Sequence, residues 1–216
     1  GQSAGVIFQQ VTIENHGQQP LSGFALQYNK NSFGLVPQSP AALGEVIPGP
    51  IMPGQSASGN MPVTAAGPLS DSKGVVQMAM KNNVKVFYFQ DAVDLTCFLV
   101  GANEGGRLDK GVFLEQWKGI QQEARTDVQG LPPAAENIDA VCPKFEASSV
   151  FFIARRPPTP EGTIFVYFSV KTMNGVVMLA EVGFRPGTGT ASISIKAQQP
   201  QYVPLMTESI QKLLRA

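Results

Sequence analysis

The chain has 216 residues, of which 43% are hydrophobic and 15% are charged, so it can bury the core of one large domain or of two smaller ones. Sixteen basic residues balance sixteen acidic ones, which argues against the broadly basic surface of a nucleic-acid-binding domain and against a polybasic membrane anchor. No apolar stretch approaches the roughly 20 residues that a bilayer-spanning helix needs.

Residues 1–5 have no initiating Met and no basic-then-apolar signal pattern, so we expect a domain of a longer chain. Two cysteines, Cys97 and Cys142, lie far apart in the sequence. They predict a pair of reduced, buried thiols in a cytosolic protein, and a disulfide between them stays open as an alternative.

Charge density changes along the chain and predicts two domains, 1–98 and 99–216. The first part has short β-rich runs that clusters of Gly, Pro and Asn separate. Such runs with frequent turn signals are typical of an all-β sandwich. They cover residues 6–8, 11–13, 24–28, 75–80 and 84–89.

The second part mixes helical and strand periods. Asp109 predicts the start of a helix that continues through Trp117, and residues 135–147 predict another. An apolar stripe predicts a helix over 202–216, with Pro204 in its first turn. Strand-like runs lie between these helices, and the order indicates an α+β unit. The runs are residues 150–154, 163–171, 176–184 and 191–197.

Residue types that carry out catalysis are sparse. His16 is the only histidine, and no Cys, His and carboxylate cluster has metal-ligand spacing. The glycines of 101–106 lack the Lys-Ser/Thr of a phosphate-binding loop. We therefore predict no catalytic residues, no metal and no cofactor.

Five bulky or charged residues could form a binding surface. Each also has a structural interpretation: the aromatic residues could belong to the core, and the charged ones could simply face solvent. The residues alone leave these alternatives open. They are Trp117, Lys118, Arg156, Tyr167 and Glu181.

Five collinear segments resemble the appendage, or ear, domain of beta-adaptins, the large subunits of clathrin adaptor complexes. The resemblance spans nearly the whole chain. The segments are 24–35 (FALQYNKNSFGL), 81–89 (KNNVKVFYF), 111–118 (GVFLEQWK), 152–156 (FIARR) and 178–181 (MLAE).

The resemblance implies an immunoglobulin-like β-sandwich followed by a mixed α/β platform, which agrees with the pattern of the residues. Family members begin with a strand upstream of the position that matches Val6. That strand is absent here or was cut away, so we expect an unpaired sheet edge there.

The resemblance also implies two peptide-binding sites. On the platform, Trp117 and Tyr167 would form the apolar floor, and Lys118 and Arg156 would pair with the acidic end of a helical ligand. Glu181 would meet the ligand's trailing arginine. On the sandwich, Tyr88 would bind shorter aromatic motifs.

Two residues near the platform site keep no assigned role. The family's second ligand-facing glutamate matches Arg125, with Glu123 two residues earlier. The segment is too loosely similar to fix the alignment, so we leave Arg125 out of the predicted site.

The partners that the resemblance implies are clathrin, accessory proteins with helical acidic-aromatic motifs, and the rest of the adaptor complex through an upstream linker. Nucleic acid and direct membrane insertion are not expected. The location would be cytoplasmic and peripheral, on coated vesicles or pits at the Golgi or plasma membrane. Two alternatives remain: a coatomer-type appendage, which would capture regulators of Arf GTPases, and an enzyme with an unrecognised site.

Overall fold

A computed structural model describes residues 2–3, 6–70 and 73–216. The chain divides into two compact units, Gly1–Val93 and Asp94–Ala216. This division lies slightly before the change in charge density at residue 98. The difference arises because the 3-10 turn Leu95–Phe98 bonds within the second unit, where Met173 N donates to Phe98 O at 2.9 Å.

The described part of the first unit consists of two antiparallel sheets, in the orders β1-β2-β5-β4 and β3-β6-β7, and one short helix. The elements are β1 (Gln2–Ser3), β2 (Val6–Glu14), β3 (Ala25–Tyr28), β4 (Val36–Pro37), α1 (Ala42–Val46), β5 (Ser56–Thr64), β6 (Val75–Lys81) and β7 (Val86–Ala92).

Side chains from the two sheets meet in a common core. The Tyr28 hydroxyl donates to Gln9 Oε1, and Gln9 Nε2 lies 3.6 Å from Met78 Sδ. Alternate residues of the strands are buried around this contact, as in a sandwich whose inner faces pack together. The predicted sandwich is confirmed. Its buried apolar residues include Ile7, Ile13, Leu26, Met61, Val63 and Val76.

The start of β2 is not an open edge. The short strand β1 pairs with it, Gln2 opposite Ile7 and Ser3 opposite Val6. The prediction that no strand accompanies Val6 was therefore wrong at these positions.

The second unit has a five-stranded antiparallel sheet in the order β8-β12-β11-β10-β9 and three α-helices. Its helices and four of its strands begin and end within two or three residues of the predicted bounds, whereas β8 was not predicted. The elements are α2 (Lys110–Gly119), β8 (Glu123–Val128), α3 (Ile138–Ala147), β9 (Phe151–Arg155), β10 (Ile164–Lys171), β11 (Val177–Arg185), β12 (Thr190–Ala197) and α4 (Val203–Arg215), with 3-10 turns at Leu95–Phe98, Ala102–Glu104, Pro133–Glu136 and Pro200–Tyr202.

Helices cover the two faces of this sheet. Helices α3 and α4 pack on one face, where the rings of Phe145 and Phe168 lie 4.9 Å apart. Helix α2 packs on the other face through Phe113, which joins Tyr167 and Leu179 in a buried cluster. The central strands are buried on both faces, so β10 and β11 read as nearly continuous apolar runs. The α+β class predicted for this unit is confirmed.

The two cysteines differ in burial. Cys97 lies in the 3-10 turn Leu95–Phe98 with its side chain exposed, and Cys142 on α3 is half-buried; both are free thiols. The prediction of a buried pair was wrong for Cys97, because this turn buries Leu95 and Phe98 and directs Cys97 outward.

No helix within the described ranges is long and apolar enough to cross a membrane.

Candidate functional site

Three aromatic rings meet where α2 packs on the sheet. Phe113 and Trp117 are four residues apart on the helix and therefore lie on one face, with ring centroids 5.6 Å apart and nearly parallel planes. Tyr167 of β10 meets both rings edge-on, at 5.7 Å from each. Edge-on and stacked pairs are favoured by the ring quadrupoles, so the three rings hold one another in place. We call Phe113, Trp117 and Tyr167 the aromatic cluster.

The rings of the cluster differ in exposure. Phe113 and Tyr167 are buried, Tyr167 with only 5% of its surface exposed, whereas Trp117 is half-buried. Most of the Tyr167 ring therefore belongs to the core, which is the structural alternative that the sequence left open for it. Trp117 is the ring that reaches the surface. The predicted juxtaposition of Trp117 and Tyr167, fifty positions apart, is present.

Two opposite charges adjoin the Tyr167 ring. The Arg156 guanidinium carbon lies 5.0 Å from its centroid, and the tyrosine hydroxyl donates to Glu181 Oε2. Tyr167 and Glu181 are direct cross-strand partners in β10 and β11. Burial, followed by the bond to Glu181, raises the pKa of Tyr167 well above its ordinary value, so the hydroxyl stays a donor.

Lys118 follows Trp117 on α2 and its side chain is exposed. Within the described part of the chain, no ion pair or ring contact joins it to the aromatic cluster. The structure thus brings together Trp117, Tyr167, Arg156 and Glu181 and leaves Lys118 at their margin.

Lys196 of β12 is part of this arrangement, although no pattern in the sequence singled it out. Its side chain is only 12% exposed. Its Nζ donates to the carbonyls of Trp117 and Ile120, at 2.9 and 3.1 Å, and lies 4.9 Å from the Trp117 ring centroid. A cation at these carbonyls satisfies the C-terminal end of α2 and favours the helix dipole.

Strand β8 places Arg125 beside the site. Its register with β12 puts Arg125 opposite Ser194, and Ser194 is opposite Glu181 on β11. Cross-strand partners share a face, so Arg125, Ser194, Glu181 and Tyr167 form one row across the sheet. Glu123 lies two residues earlier on the same face, with Oε2 3.7 Å from Lys196 Nζ.

The sandwich residue Tyr88 has a different setting. It lies on the outer face of the β3-β6-β7 sheet and is 83% exposed. The sheet surface beside it forms an open depression of about 610 Å³. Small and amide side chains line most of it, so an aromatic or extended ligand would meet few charges. They include Gln27, Asn29, Gln77, Ala79 and Gln90.

Metal-ligating groups are scattered. Across residues 2–3, 6–70 and 73–216, no three His, Cys, Asp or Glu side chains lie close enough together to bind a metal ion. The exposed His16 instead pairs with Glu14, at 3.0 Å.

A β-sandwich followed by an α+β platform is the architecture of the two-part appendage domains of coat adaptors. The family model described as "Beta2-adaptin appendage, C-terminal sub-domain" matches residues 103–214, more than half of the chain. The chain belongs to this family, whose members are protein-interaction domains.

Curated relatives match over nearly the whole chain. It is 32% identical over 201 residues to the AP-1 complex subunit beta-1 of Rattus norvegicus and 31% identical over 216 residues to that of Mus musculus. It is 29% identical over 211 residues to the AP-1 complex subunit beta of Dictyostelium discoideum. These matches cover 91%, 98% and 95% of the chain but only 20%, 22% and 21% of the relatives. The chain spans about a fifth of their length.

Proposed function

We propose that this chain is a non-catalytic appendage module of a clathrin adaptor beta subunit, which binds short motifs of accessory proteins and clathrin during coated-vesicle formation. The observation that carries the proposal is the aromatic cluster under α2, with Arg156 and Glu181 at its Tyr167 ring. Family membership supports the same conclusion.

The ligand of the platform is an amphipathic helix that lays bulky apolar anchors against Trp117. Recessed aromatic surfaces with charged margins are the usual sites of helix-in-groove recognition and of binding hot spots. Lys118 and Arg156 pair with acidic residues before the anchors, and Glu181 pairs with an arginine after them. Exposed pairs of this kind add specificity more than affinity.

A second site on the sandwich centres on Tyr88 and binds shorter aromatic motifs. Its support is the exposed tyrosine beside an open, nearly uncharged depression. The module acts in the cytoplasm as a peripheral part of a coat, joined to the rest of the adaptor complex by an upstream linker. It has no cofactor, no nucleic-acid partner and no direct insertion into the membrane.

Trp117 allows a direct test, because it is the only tryptophan and is half-buried in the cluster. A tryptophan-free helical peptide with acidic residues, two bulky apolar anchors and a trailing arginine should shift its fluorescence saturably. A scrambled peptide of the same composition is the control. A response to neither peptide, or to both alike, would contradict the platform site.

Capture from cytosol separates this proposal from the coatomer alternative. The immobilised chain should retain clathrin and coat accessory proteins, and a Trp117→Ala variant should lose those that bind the platform. Retention of Arf GTPase regulators in their place would favour a coatomer appendage.

A further inference from the structure

Strand β7 is an edge strand with unusual exposure. In the described sheet it pairs only with β6, so its other side has no strand partner. Large apolar side chains are exposed along or just before it: Val84, Val86, Tyr88 and Phe89, the last at 43%. No proline or bulge interrupts the strand from Val86 to Ala92. Such an edge is a template for pairing with another strand.

The main-chain groups that this edge presents follow from its register. Val93 N donates to Gly74 O, and Asn82 N donates to Lys85 O, so residues 85 and 93 bond toward β6. Alternation in an antiparallel ladder then places residues 87, 89 and 91 toward β6 as well. The N–H and C=O groups of Val86, Tyr88, Gln90 and Ala92 therefore face away from the sheet.

We propose that β7 pairs antiparallel with β7 of a second copy of this chain, centred on Tyr88 opposite Tyr88. Two residues can form a hydrogen-bonded pair only if the main-chain N–H and C=O groups of both face away from their sheets. Such residues alternate along β7, so the possible registers differ from one another by two residues. In the register centred on Tyr88, Val86 lies opposite Gln90 of the second copy, and about six main-chain hydrogen bonds form. The two three-stranded sheets then join into one continuous sheet.

Side-chain complementarity selects this register. Lys85 lies opposite Asp91 of the second copy, and the two-fold axis repeats the pair. Phe87 lies opposite Phe89 on the same face, and aromatic pairs are among the more favourable cross-strand contacts. Moving the register by two residues in either direction separates the opposite charges. In this register the charged side chains of one copy therefore lie opposite side chains of unlike charge in the other copy.

The interface is small, since it consists of one strand pair and its flanking side chains. Interfaces of this size give transient rather than permanent complexes. We expect a weak dimer, with a dissociation constant on the order of 0.1 mM. The inference does not depend on the platform site.

Charge exchange tests the proposal in the 216-residue chain. Lys85→Asp places two carboxylates opposite each other, and Asp91→Lys places two ammonium groups there, so each variant alone should dimerise about tenfold more weakly. An equimolar mixture should recover the wild-type association, because in the mixed dimer each carboxylate again lies opposite an ammonium group. Sedimentation equilibrium from about 5 µM to about 1 mM measures this.

Lys30→Asp is the matched control, since it makes the same change of charge on the exposed loop after β3, a strand that β6 separates from β7. It should dimerise like the wild type. Circular dichroism should show unchanged folding, because the side chains of residues 85 and 91 are exposed. Three results would overturn the proposal: a monomer at every concentration, single variants that dimerise normally, or a mixture that does not recover.

Discussion

The aromatic cluster under α2 and the β7 surface both present aromatic side chains, but they present them differently. In the cluster, Trp117 is held by two neighbouring rings and by the Lys196 ammonium group. On β7, Tyr88 stands almost free on an open sheet. The cluster lies under a helix between opposite charges, whereas the β7 surface combines unpaired main-chain groups with exposed apolar side chains.

This difference agrees with the two kinds of recognition that we propose. A rigid, recessed ring provides hot-spot contacts without losing much side-chain freedom, which suits a helix that inserts its anchors. An open edge gives affinity through main-chain hydrogen bonds, which suits an extended strand. Substitutions in the two regions test this contrast.

Replacing Tyr167 by Ala should destabilise the second unit by about 3 kcal/mol, because it removes a buried ring that contacts two others and leaves a cavity. Tyr88→Ala is the matched control and should change stability by about 0.5 kcal/mol or less. Urea unfolding of both variants measures the difference. Equal losses would show that the two tyrosines do not differ in structural role.

Replacing Trp117 by Ala should weaken binding of the helical peptide by about 2 kcal/mol, the usual size of an aromatic hot spot. Because Trp117 is only half-buried, the fold should survive. Isothermal titration calorimetry gives the affinity and circular dichroism the folding. If the variant unfolds, Trp117 serves mainly as core.

Replacing Lys196 by Met should weaken peptide binding by about 1.5 kcal/mol, although Lys196 is itself almost buried. The methionine retains the apolar stem but leaves the Trp117 and Ile120 carbonyls without their charged donor. The last turn of α2 should then exchange its amide hydrogens faster. Lys118→Met is the control for the loss of a positive charge. If the amide exchange rate changed equally in both variants, Lys196 would not stabilise the end of α2 through these carbonyls.

Replacing Tyr167 by Phe should change how stability depends on alkaline pH. The pKa of Tyr167 is raised in the folded state above the unfolded value of about 10, so its contribution is complete below about pH 10 and is lost as pH rises further. At about pH 8 the wild type should be more stable by about 1 kcal/mol, the contribution of one hydrogen bond.

Above about pH 10 this advantage should shrink, because phenylalanine cannot ionise. Comparing the two proteins at each pH cancels the titration of the other tyrosines. A difference that stays constant from about pH 8 to about pH 11 would contradict the assignment.

The smallest effect concerns the charge of Glu181, which is half-buried at the margin of the cluster; an ion pair with the ligand at the protein surface contributes about 0–1 kcal/mol. Glu181→Gln keeps an acceptor for the Tyr167 hydroxyl, whereas Glu181→Arg removes it and also repels the ligand's arginine. A ligand with that arginine changed to Glu should recover only the second part of the loss. Calorimetry at low and high salt would show it, and no recovery would place Glu181 outside the contact.

Arg156 and Glu181 adjoin the same ring, which bears on the orientation of the ligand. The positive and negative margins are expected to select one direction of a helical ligand. Since both charged groups lie beside Tyr167, they can distinguish the two directions of the ligand only through the few ligand residues that lie near this ring. Lys118, farther from it, would have to extend the positive margin.

The sequence predicts the fold well where apolar periodicity is strong. Strands β10 and β11 and helix α4 are such elements, because burial on one or both faces leaves continuous or striped apolar runs. The pattern failed for β5, whose Gly59, Asn60 and Pro62 resemble a loop although the strand pairs with β2 along its length. Tertiary pairing overrides such weak local preferences.

The site was predictable only in part. The family resemblance indicated one site that contains Trp117, Tyr167, Arg156 and Glu181. Composition alone gave no reason to expect these side chains to lie close together. Lys196 was missed because its role depends on carbonyls at the end of α2, nearly eighty positions earlier. Arg125 was considered and left out of the predicted site, because its segment was too loosely similar to align; β8 is a polar edge strand with a single buried residue, Val128, so its pattern gave no further guide.

The bond from Tyr167 to Glu181 also marks the alignment of two neighbouring strands. A slip of one residue between β10 and β11 would turn either side chain to the opposite face of the sheet. The tyrosine would then lack its acceptor, and the groove would lose its floor or its negative margin. A mispaired chain would therefore lose the proposed peptide binding even if it retained its sheet, so a peptide-binding assay would also report whether the strands have paired correctly.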